Sequence, residues 1–189
     1  MKLSFVLLFC FACLLSVEVA AQSRYFTKTG HIWFFSEAPL EDIMARNRQV
    51  VSFIDFKTGE LAFSVPMTAF QFKKSLMQTH FNENFVESGK YPKSTFSGTF
   101  SKPGAIDPTK EGTYKVQVEG QLTIHGVEKA LSTDGILEVR NGKVRGKATF
   151  IVAPHDYDIT IPLLVREHIA KEVAVHVDML YEPFTGNTP

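Results

Sequence analysis

Residues 113–125 carry the most regular pattern in the chain, an alternation of apolar and polar side chains. This period of two residues is typical of a β-strand that buries one face. Gly120 falls on the apolar side, where a missing side chain allows a bend or leaves room for a ligand. The apolar positions are Tyr114, Val116, Val118, Leu122 and Ile124.

Further strand-like segments occur along most of the chain, so the sequence predicts an all-β domain. Residues 49–56 and 60–67 form a hairpin pattern around the turn at 57–59, and Asn141-Gly142 is a second hairpin signal. The other segments are residues 24–36 (one strand, or two bent at Gly30), 94–100, 130–139, 144–152, 159–165 and 173–181. About eight sequential antiparallel strands predict a closed up-and-down β-barrel, with a two-sheet sandwich as the alternative.

Two short helices interrupt these strands. Residues 73–96 read as an amphipathic helix, a polar turn and a strand entry at Tyr91-Pro92. A second helix is expected to begin at Pro39 and to end near Asn47. A helix inserted between strands needs a surface to cover, so we expect it at the mouth of the barrel.

The first 21 residues have the pattern of a cleaved signal peptide. Lys2 precedes an apolar run that is too short for a stable membrane anchor, and Val19 and Ala21 suit the positions before cleavage. An uncleaved signal anchor is the alternative. Both cysteines of the chain, Cys10 and Cys13, lie in this leader. Residues 22–189 therefore form one domain without disulfides or thiolates, in a periplasmic or secreted protein.

Charge and spacing exclude several function classes. The chain has 20 basic and 20 acidic residues, so nothing in its composition favours nucleic acid. The 6 histidines do not occur at spacings that give one strand or helix two metal ligands, and no metal site or other cofactor is expected. Asp156 and Asp158 suit a solvated turn better than calcium. Sequence motifs of catalytic sites are also absent, and we expect no enzyme activity.

Two separated motifs resemble the YceI-like family of small lipocalin-like barrels from the bacterial envelope. The first is the helix end and strand entry, LMQTHFNENFVESGKYPKSTFSG, and the second is VEGQLTIHGVEKAL. The resemblance implies an elongated antiparallel barrel that holds a polyisoprenoid or isoprenoid-quinone-like lipid. This chain departs from the family pattern at residues 77–81 and 153–159, so it is expected to be a divergent member.

If the interior is filled by a lipid, the resemblance and the apolar faces together indicate the residues that bind it. His80 is the one polar candidate, either as a contact to a lipid headgroup or as a helix-end histidine bonded to its own backbone. The candidate ligand-binding residues are Phe53, Phe63, Val65, Phe72, Leu76, Met77, His80, Phe81, Phe96, Tyr114, Val116, Leu122 and Phe150.

Other hypotheses remain open at this stage. The same inward residues suit a fully packed barrel that acts as a structural or stress-related interaction module. An enzyme with a buried acid or base requires inward polar groups, and the inward set contains almost none. Exposed apolar residues on the outer face, Ile136, Ile151 and Leu180, suggest a homodimer.

Overall fold

The structure, a computed structural model, describes residues 23–184. Eight long antiparallel strands form a closed barrel, because β1 pairs with both β2 and β9. The order around the barrel is β1-β9-β8-β7-β6-β5-β3-β2. The long strands are β1 (Arg24–Glu37), β2 (Asp42–Asp55), β3 (Glu60–Pro66), β5 (Lys93–Phe100), β6 (Gly112–Ile124), β7 (Val127–Arg140), β8 (Lys143–Val152) and β9 (Val173–Pro183). This closure confirms the predicted barrel and excludes the two-sheet sandwich.

The barrel has two different ends. The lower end carries the turns at 56–59 and 141–142 and the loop at 101–111. The upper end carries the two-residue strand β4 (Gln71–Phe72), the helix α1 (Ser75–His80) and the long connection 153–172. The π-helical turn Phe81–Phe85 continues α1 directly. One short helix therefore lies at the upper end, as the helical spacing predicted.

The second predicted helix, from Pro39 to Asn47, is wrong. β2 begins at Asp42 and pairs with β1 from Glu37↔Asp42 onwards. The apolar residues at 40, 43 and 44 gave a short helical spacing, but the long hairpin with β1 satisfies the backbone and overrides this weak local preference. The apolar segment 159–165 also forms no strand, because the chain there enters the single-turn segment Leu163–His168.

Paired irregularities bend β1 and β2 at mid-barrel. The β1–β2 register shifts on both sides of Gly30, between Thr27↔Ser52 and Ile32↔Asn47. A Cβ atom on Gly30 would lie 2.1 Å from Sδ of the completely buried Met179, so a larger residue would force that side chain to move. Of the two alternatives that the sequence left open, the structure has one continuous strand, with an irregularity at Gly30.

The irregularity in β2 is held by the buried side chain of Asn47. Its amide donates to the carbonyl of Pro66 at 2.8 Å and its oxygen accepts from the amide of Gln49 at 2.8 Å. Arg48 and Gln49 are both exposed, so the inward positions change from odd to even numbers: Ala45 and Asn47 before the bulge, Val50, Ser52 and Ile54 after it.

A glycine pair makes the wall between β5 and β6 thin. Gly98 and Gly120 lie opposite each other, and a Cβ atom on either would come within 2.8 Å of the Phe96 ring. The ring of Phe96 therefore lies over the bare backbone of two strands. This arrangement explains why the regular pattern of β6 is interrupted by glycine.

Gly120→Ala should destabilise the barrel by at least about 1–3 kcal/mol, because the new methyl group would lie 2.4 Å from the backbone oxygen of Ser97. Chemical denaturation measures the change. Gly104→Ala is the matched control, since no atom lies within 4 Å of the added carbon. Equal midpoints for the two variants would contradict the close packing of β5 on β6.

The β2–β3 turn is organised by the buried carboxylate of Asp55. It accepts hydrogen bonds from the amides of Lys57 (2.8 Å) and Thr58 (3.4 Å) and from Nε of Arg24 (3.0 Å). Burial acts to raise the pKa of Asp55, but these hydrogen bonds outweigh it and the pKa is lowered. The folded state therefore favours the ionised carboxylate.

The pKa of Asp55 is lower in the folded than in the unfolded chain. The ionised carboxylate therefore stabilises the fold fully above the pKa of the unfolded chain, about 3.9, and this contribution is lost as the pH falls through the pKa of the folded chain. Asp55→Asn should destabilise the protein at pH 7 by about 1–2 kcal/mol and lose less further stability towards pH 3 than the native chain. Urea denaturation at both pH values measures this, and parallel losses in the two proteins would refute it.

Candidate functional site

The interior of the barrel has a packed lower half. Its inward side chains are almost completely buried and include rings from β1, β5 and β9 and from the β2–β3 turn. Tyr25, Phe56 and Phe100 contact one another edge to face, with centroid distances of 5.5 and 5.7 Å. These rings close the lower end, so access to the interior has to come from above.

The inward apolar side chains of the upper half are only partly buried. Phe34, Phe150 and Val175 are adjacent across three strands, because Val175 pairs with both of the others. Leu131 of β7 extends this set. We call these four residues the upper apolar lining. All four face inward and are only partly buried, so they are less tightly packed than the side chains of the lower half.

Between the two halves lies a small internal cavity of about 40 Å³. Its lining is apolar and includes Leu61, Phe63, Val116, Ala148 and Val177. A water molecule takes roughly 30 Å³ of liquid volume, so this space is much smaller than an isoprenoid chain. A long chain would fit only after side chains at this level move.

One polar pair lies inside the lower half and is satisfied internally. The hydroxyl of Tyr181 is 2.8 Å from Oγ of Ser52, which donates to the carbonyl of Ala62 at 2.8 Å. Complete burial raises the pKa of Tyr181, so this phenol stays neutral. The pair therefore supplies no acid or base to the interior.

An aromatic cluster covers the upper end. It consists of Phe34, Phe70, Phe72 and Phe81, and the ring of Phe81 is 5.0 to 5.7 Å from the other three. Phe81 follows α1 directly, so the helix reaches the barrel interior through this ring. The cluster is made of side chains alone, which can rotate without breaking strand pairing.

The rest of α1 faces away from the interior. Leu76 is 64% exposed and Met77 is half-buried outside the core. The exposed ring of His80 has its Nδ1 3.1 Å from the amide nitrogen of Asn84, one turn along the helix. His80 therefore has a local partner, and of the helix residues predicted at the site only Phe81 packs on the core.

Most of the remaining candidates do face inward, whereas Phe53 does not. Phe53 has the same parity as exposed Val51, while Ser52 and Ile54 on either side are buried, so its predicted inward position is wrong. The bulge at Asn47 shifted the alternation that the prediction relied on. The candidates placed inward are Phe63, Val65, Phe96, Tyr114, Val116, Leu122 and Phe150, with Phe72 in the aromatic cluster.

Sequence reasoning missed Phe34, Leu131 and Val175 as a group at the opening. Phe34 lies in the run Trp33-Phe34-Phe35, in which consecutive rings give no alternation to read. Leu131 and Val175 lie in segments that the sequence predicts as strands, but no local signal indicates that Val175 lies beside Phe34. The pairings of β1 and β8 with β9 bring Phe34 and Phe150 next to Val175.

His125 ties three segments of the upper end together. Its Nδ1 lies 3.1 Å from the carbonyl of Tyr157 and its Nε2 lies 2.7 Å from a carboxylate oxygen of Glu87, while its ring contacts Tyr91 edge to face. Both ring nitrogens thus lie within hydrogen-bond distance of an oxygen atom. The ring fixes the segments after α1 and after β8 to the β6–β7 turn.

A depression with a volume of about 780 Å³ lies on the outer wall of β1 and β6–β9. Its lining side chains are mostly outward-facing and include Trp33, Gln117, Asp134 and Thr149. The ring of Trp33 is stacked between those of His31 and His176, so both of its faces are already covered. The groove reaches towards the interior, because Val116, Ala148 and Val177 line both the groove and the small cavity.

Residues 23–184 contain no cluster of three or more His, Cys, Asp or Glu side chains arranged for a metal ion. None of their helices is long and apolar enough to cross a bilayer. The signal peptide predicted over residues 1–21 lies outside the described residues and stays a prediction.

The closed barrel, its inward apolar lining and its single capping helix agree with a known family. A family model, the YceI-like domain, matches residues 24–180. The chain belongs to the YceI-like family. A comparison with curated proteins finds no match.

Solved structures share the fold of this YceI-like chain. A polyisoprenoid-binding domain from Saccharophagus degradans, described as implicated in plant cell wall breakdown, is similar with a TM-score of 0.75 and 15% identity, covering 86% of this chain and 99% of that one. BcnA of Burkholderia cenocepacia gives 0.68 and 14%, covering 80% and 95%. A Campylobacter jejuni YceI protein gives 0.55 and 18%, covering 72% and 82%.

His125→Ala should loosen the upper end, because the hydrogen bonds to Tyr157 and Glu87 are lost together. Amide hydrogen exchange should become roughly tenfold faster in residues 86–91 and 154–158, with little change in β7. Exposed His155, on the same upper loop, provides the matched control variant His155→Ala. Unchanged exchange in both segments would show that His125 does not hold them.

Proposed function

We propose that this protein binds a long hydrophobic lipid of the polyisoprenoid or isoprenoid-quinone type inside the barrel, in the bacterial cell envelope and without catalysis. The observation that carries the proposal is the upper apolar lining, an inward and only partly buried set of side chains at the upper end of a closed barrel. Membership of the YceI-like family and the similarity to a domain named for polyisoprenoid binding support the choice of lipid.

Apolar burial supplies the affinity in this proposal. Each buried methylene contributes about 0.8 kcal/mol, so one five-carbon isoprene unit gains on the order of 4 kcal/mol before the entropy cost of binding. The interior is neutral because its polar pair, Ser52 and Tyr181, is satisfied internally. A chain without charged groups is therefore the ligand that this interior suits.

The small internal cavity determines how a lipid would enter. The side chains at its level, such as Phe63 and Met179, are unbranched at Cβ and rotate more easily than Val or Ile. We infer that the chain first contacts the upper apolar lining and then displaces these side chains downwards. Binding would thus enlarge an existing space rather than fill a preformed tunnel.

The proposed location follows from the first 21 residues. If they direct export and are then removed, the domain operates in the periplasm or outside the cell, where a polyisoprenoid needs shielding from water. The mature chain then contains no cysteine, so its stability does not depend on the redox state of that compartment.

Mass spectrometry of lipids extracted from the purified protein tests the proposal directly. We expect one class of long polyprenyl chain at close to one molecule per protein. The lipid-free protein should also take up a polyprenol from detergent. A protein that carries no lipid and takes up no polyprenol would contradict the function.

Two neighbouring residues of β8 allow a matched mutational test. Phe150 faces the interior beside Val175, whereas Ile151 faces outward and is exposed. Phe150→Ser should weaken polyprenol binding by about tenfold or more, and Ile151→Ser should leave it unchanged. Fluorescence titration with a polyene analogue measures both. Equal affinities would place the ligand outside the upper half of the barrel.

A second candidate function is a ligand-free interaction module. The observation that favours it is the small size of the internal cavity, about 40 Å³. This candidate predicts that added polyprenols leave the thermal stability unchanged, whereas a lipid-binding barrel is stabilised in proportion to the logarithm of ligand concentration.

A further inference from the structure

We propose that the upper end of the barrel docks onto the surface of a lipid bilayer by inserting three leucines, Leu40, Leu76 and Leu163. The inference deepens the proposed lipid-binding function, because it names the surface from which the ligand would enter. The expected partner is the bilayer itself, bound through its apolar region and not through anionic headgroups.

The three leucines are the most exposed large apolar side chains of the described residues. Leu163 is 76% exposed, Leu76 64% and Leu40 61%. Each lies on a different segment of the upper end: the loop 38–41, α1, and the turn Leu163–His168. Large apolar side chains on the outer face of the strands, such as Ile151 and Leu180, are less exposed.

Contacts join the three segments into one surface. Glu41, next to Leu40, forms an ion pair with Lys74 at the start of α1 and lies 3.9 Å from Nδ1 of His168. The amide of Leu40 donates to the carbonyl of Glu167 at 3.2 Å. The leucines therefore project from segments that are held together through Glu41, and not from unrelated loops.

The charges of this surface favour a bilayer of any headgroup charge. Basic and acidic side chains are mixed around the leucines: Lys73, Lys74, Arg166 and Lys171 with Glu37, Glu41, Asp42, Glu167 and Glu172. This set has no excess of basic side chains, so it gives no net attraction to anionic lipid. Single leucines separated by charged residues also offer a protein partner no continuous apolar patch. Such leucines suit insertion between headgroups, with the charged side chains staying in the hydrated layer.

The position of the leucines connects this surface with the interior. The loop 38–41 follows the end of β1, four residues after Phe34, and the turn Leu163–His168 leads into β9 and Val175. With the leucines inserted, the upper apolar lining would lie close to the acyl chains. A lipid chain would then move from the bilayer into the barrel without crossing water.

Vesicle sedimentation tests the docking surface with the purified protein. The vesicles consist of phosphatidylcholine alone or of phosphatidylcholine mixed with phosphatidylglycerol. We expect the protein to bind both kinds of vesicle. About 0.5 M salt should weaken this binding little, because salt screens exposed charges but does not weaken apolar insertion. The double variant Leu40→Ser with Leu163→Ser should bind at least about tenfold more weakly. The control pair Ile151→Ser with Leu180→Ser, on the wall, should bind like the native chain.

Polyprenol uptake from detergent, measured on the same proteins, separates this inference from the lipid-binding function. Retained uptake with lost vesicle binding in the Leu40/Leu163 variant supports docking as proposed. Native protein that takes up polyprenol but does not sediment with vesicles overturns docking and leaves the function. Vesicle binding without uptake overturns the function and leaves docking. Binding that requires phosphatidylglycerol, disappears in salt or is lost equally in the wall variant also overturns the proposal.

Discussion

The fold depends on β1, the strand that pairs on both of its edges and closes the barrel. It meets β2 along one side and β9 along the other, so no long strand keeps a free edge in the described chain. A strand of this length must coil around the barrel, and the irregularities at Gly30 and Asn47 provide the bend. Met179 of β9 fills the space beside Gly30, so closure and core packing are determined at the same place.

The same coiling divides the interior into unequal halves. Below the bend, rings from four segments pack closely, and the polar pair of Ser52 and Tyr181 is satisfied within them. Above the bend, the inward apolar side chains of the strands are only partly buried. The aromatic cluster around Phe81 packs over this end of the barrel. The proposed binding therefore involves the upper half, where the inward side chains are less buried than those below the bend.

The sequence predicted the strands, their antiparallel order and the capping helix, because alternation and turn residues are local signals. It failed where long-range pairing decides the outcome. Residues 42–47 have a short helical spacing but pair with β1, and Phe53 faces outward because a bulge six residues earlier changes the parity of β2. The grouping of Phe34 with Val175 is likewise set by register, and register is not encoded in either strand alone.

The upper end combines features that a lipid carrier needs and a packed module does not. A packed module gains nothing from keeping Phe34, Phe150 and Val175 accessible, because their further burial would stabilise the barrel. A packed module also gains nothing from a cover that contacts the interior through the ring of Phe81. Such a cover can open by rotation of this ring without breaking the pairing of the strands. In this proposal, the small cavity is a feature of the lipid-free barrel, and a bound lipid chain enlarges it by displacing the flexible side chains at mid-height. The balance between the two functions rests on whether the energy of burying isoprene units exceeds the cost of moving these side chains.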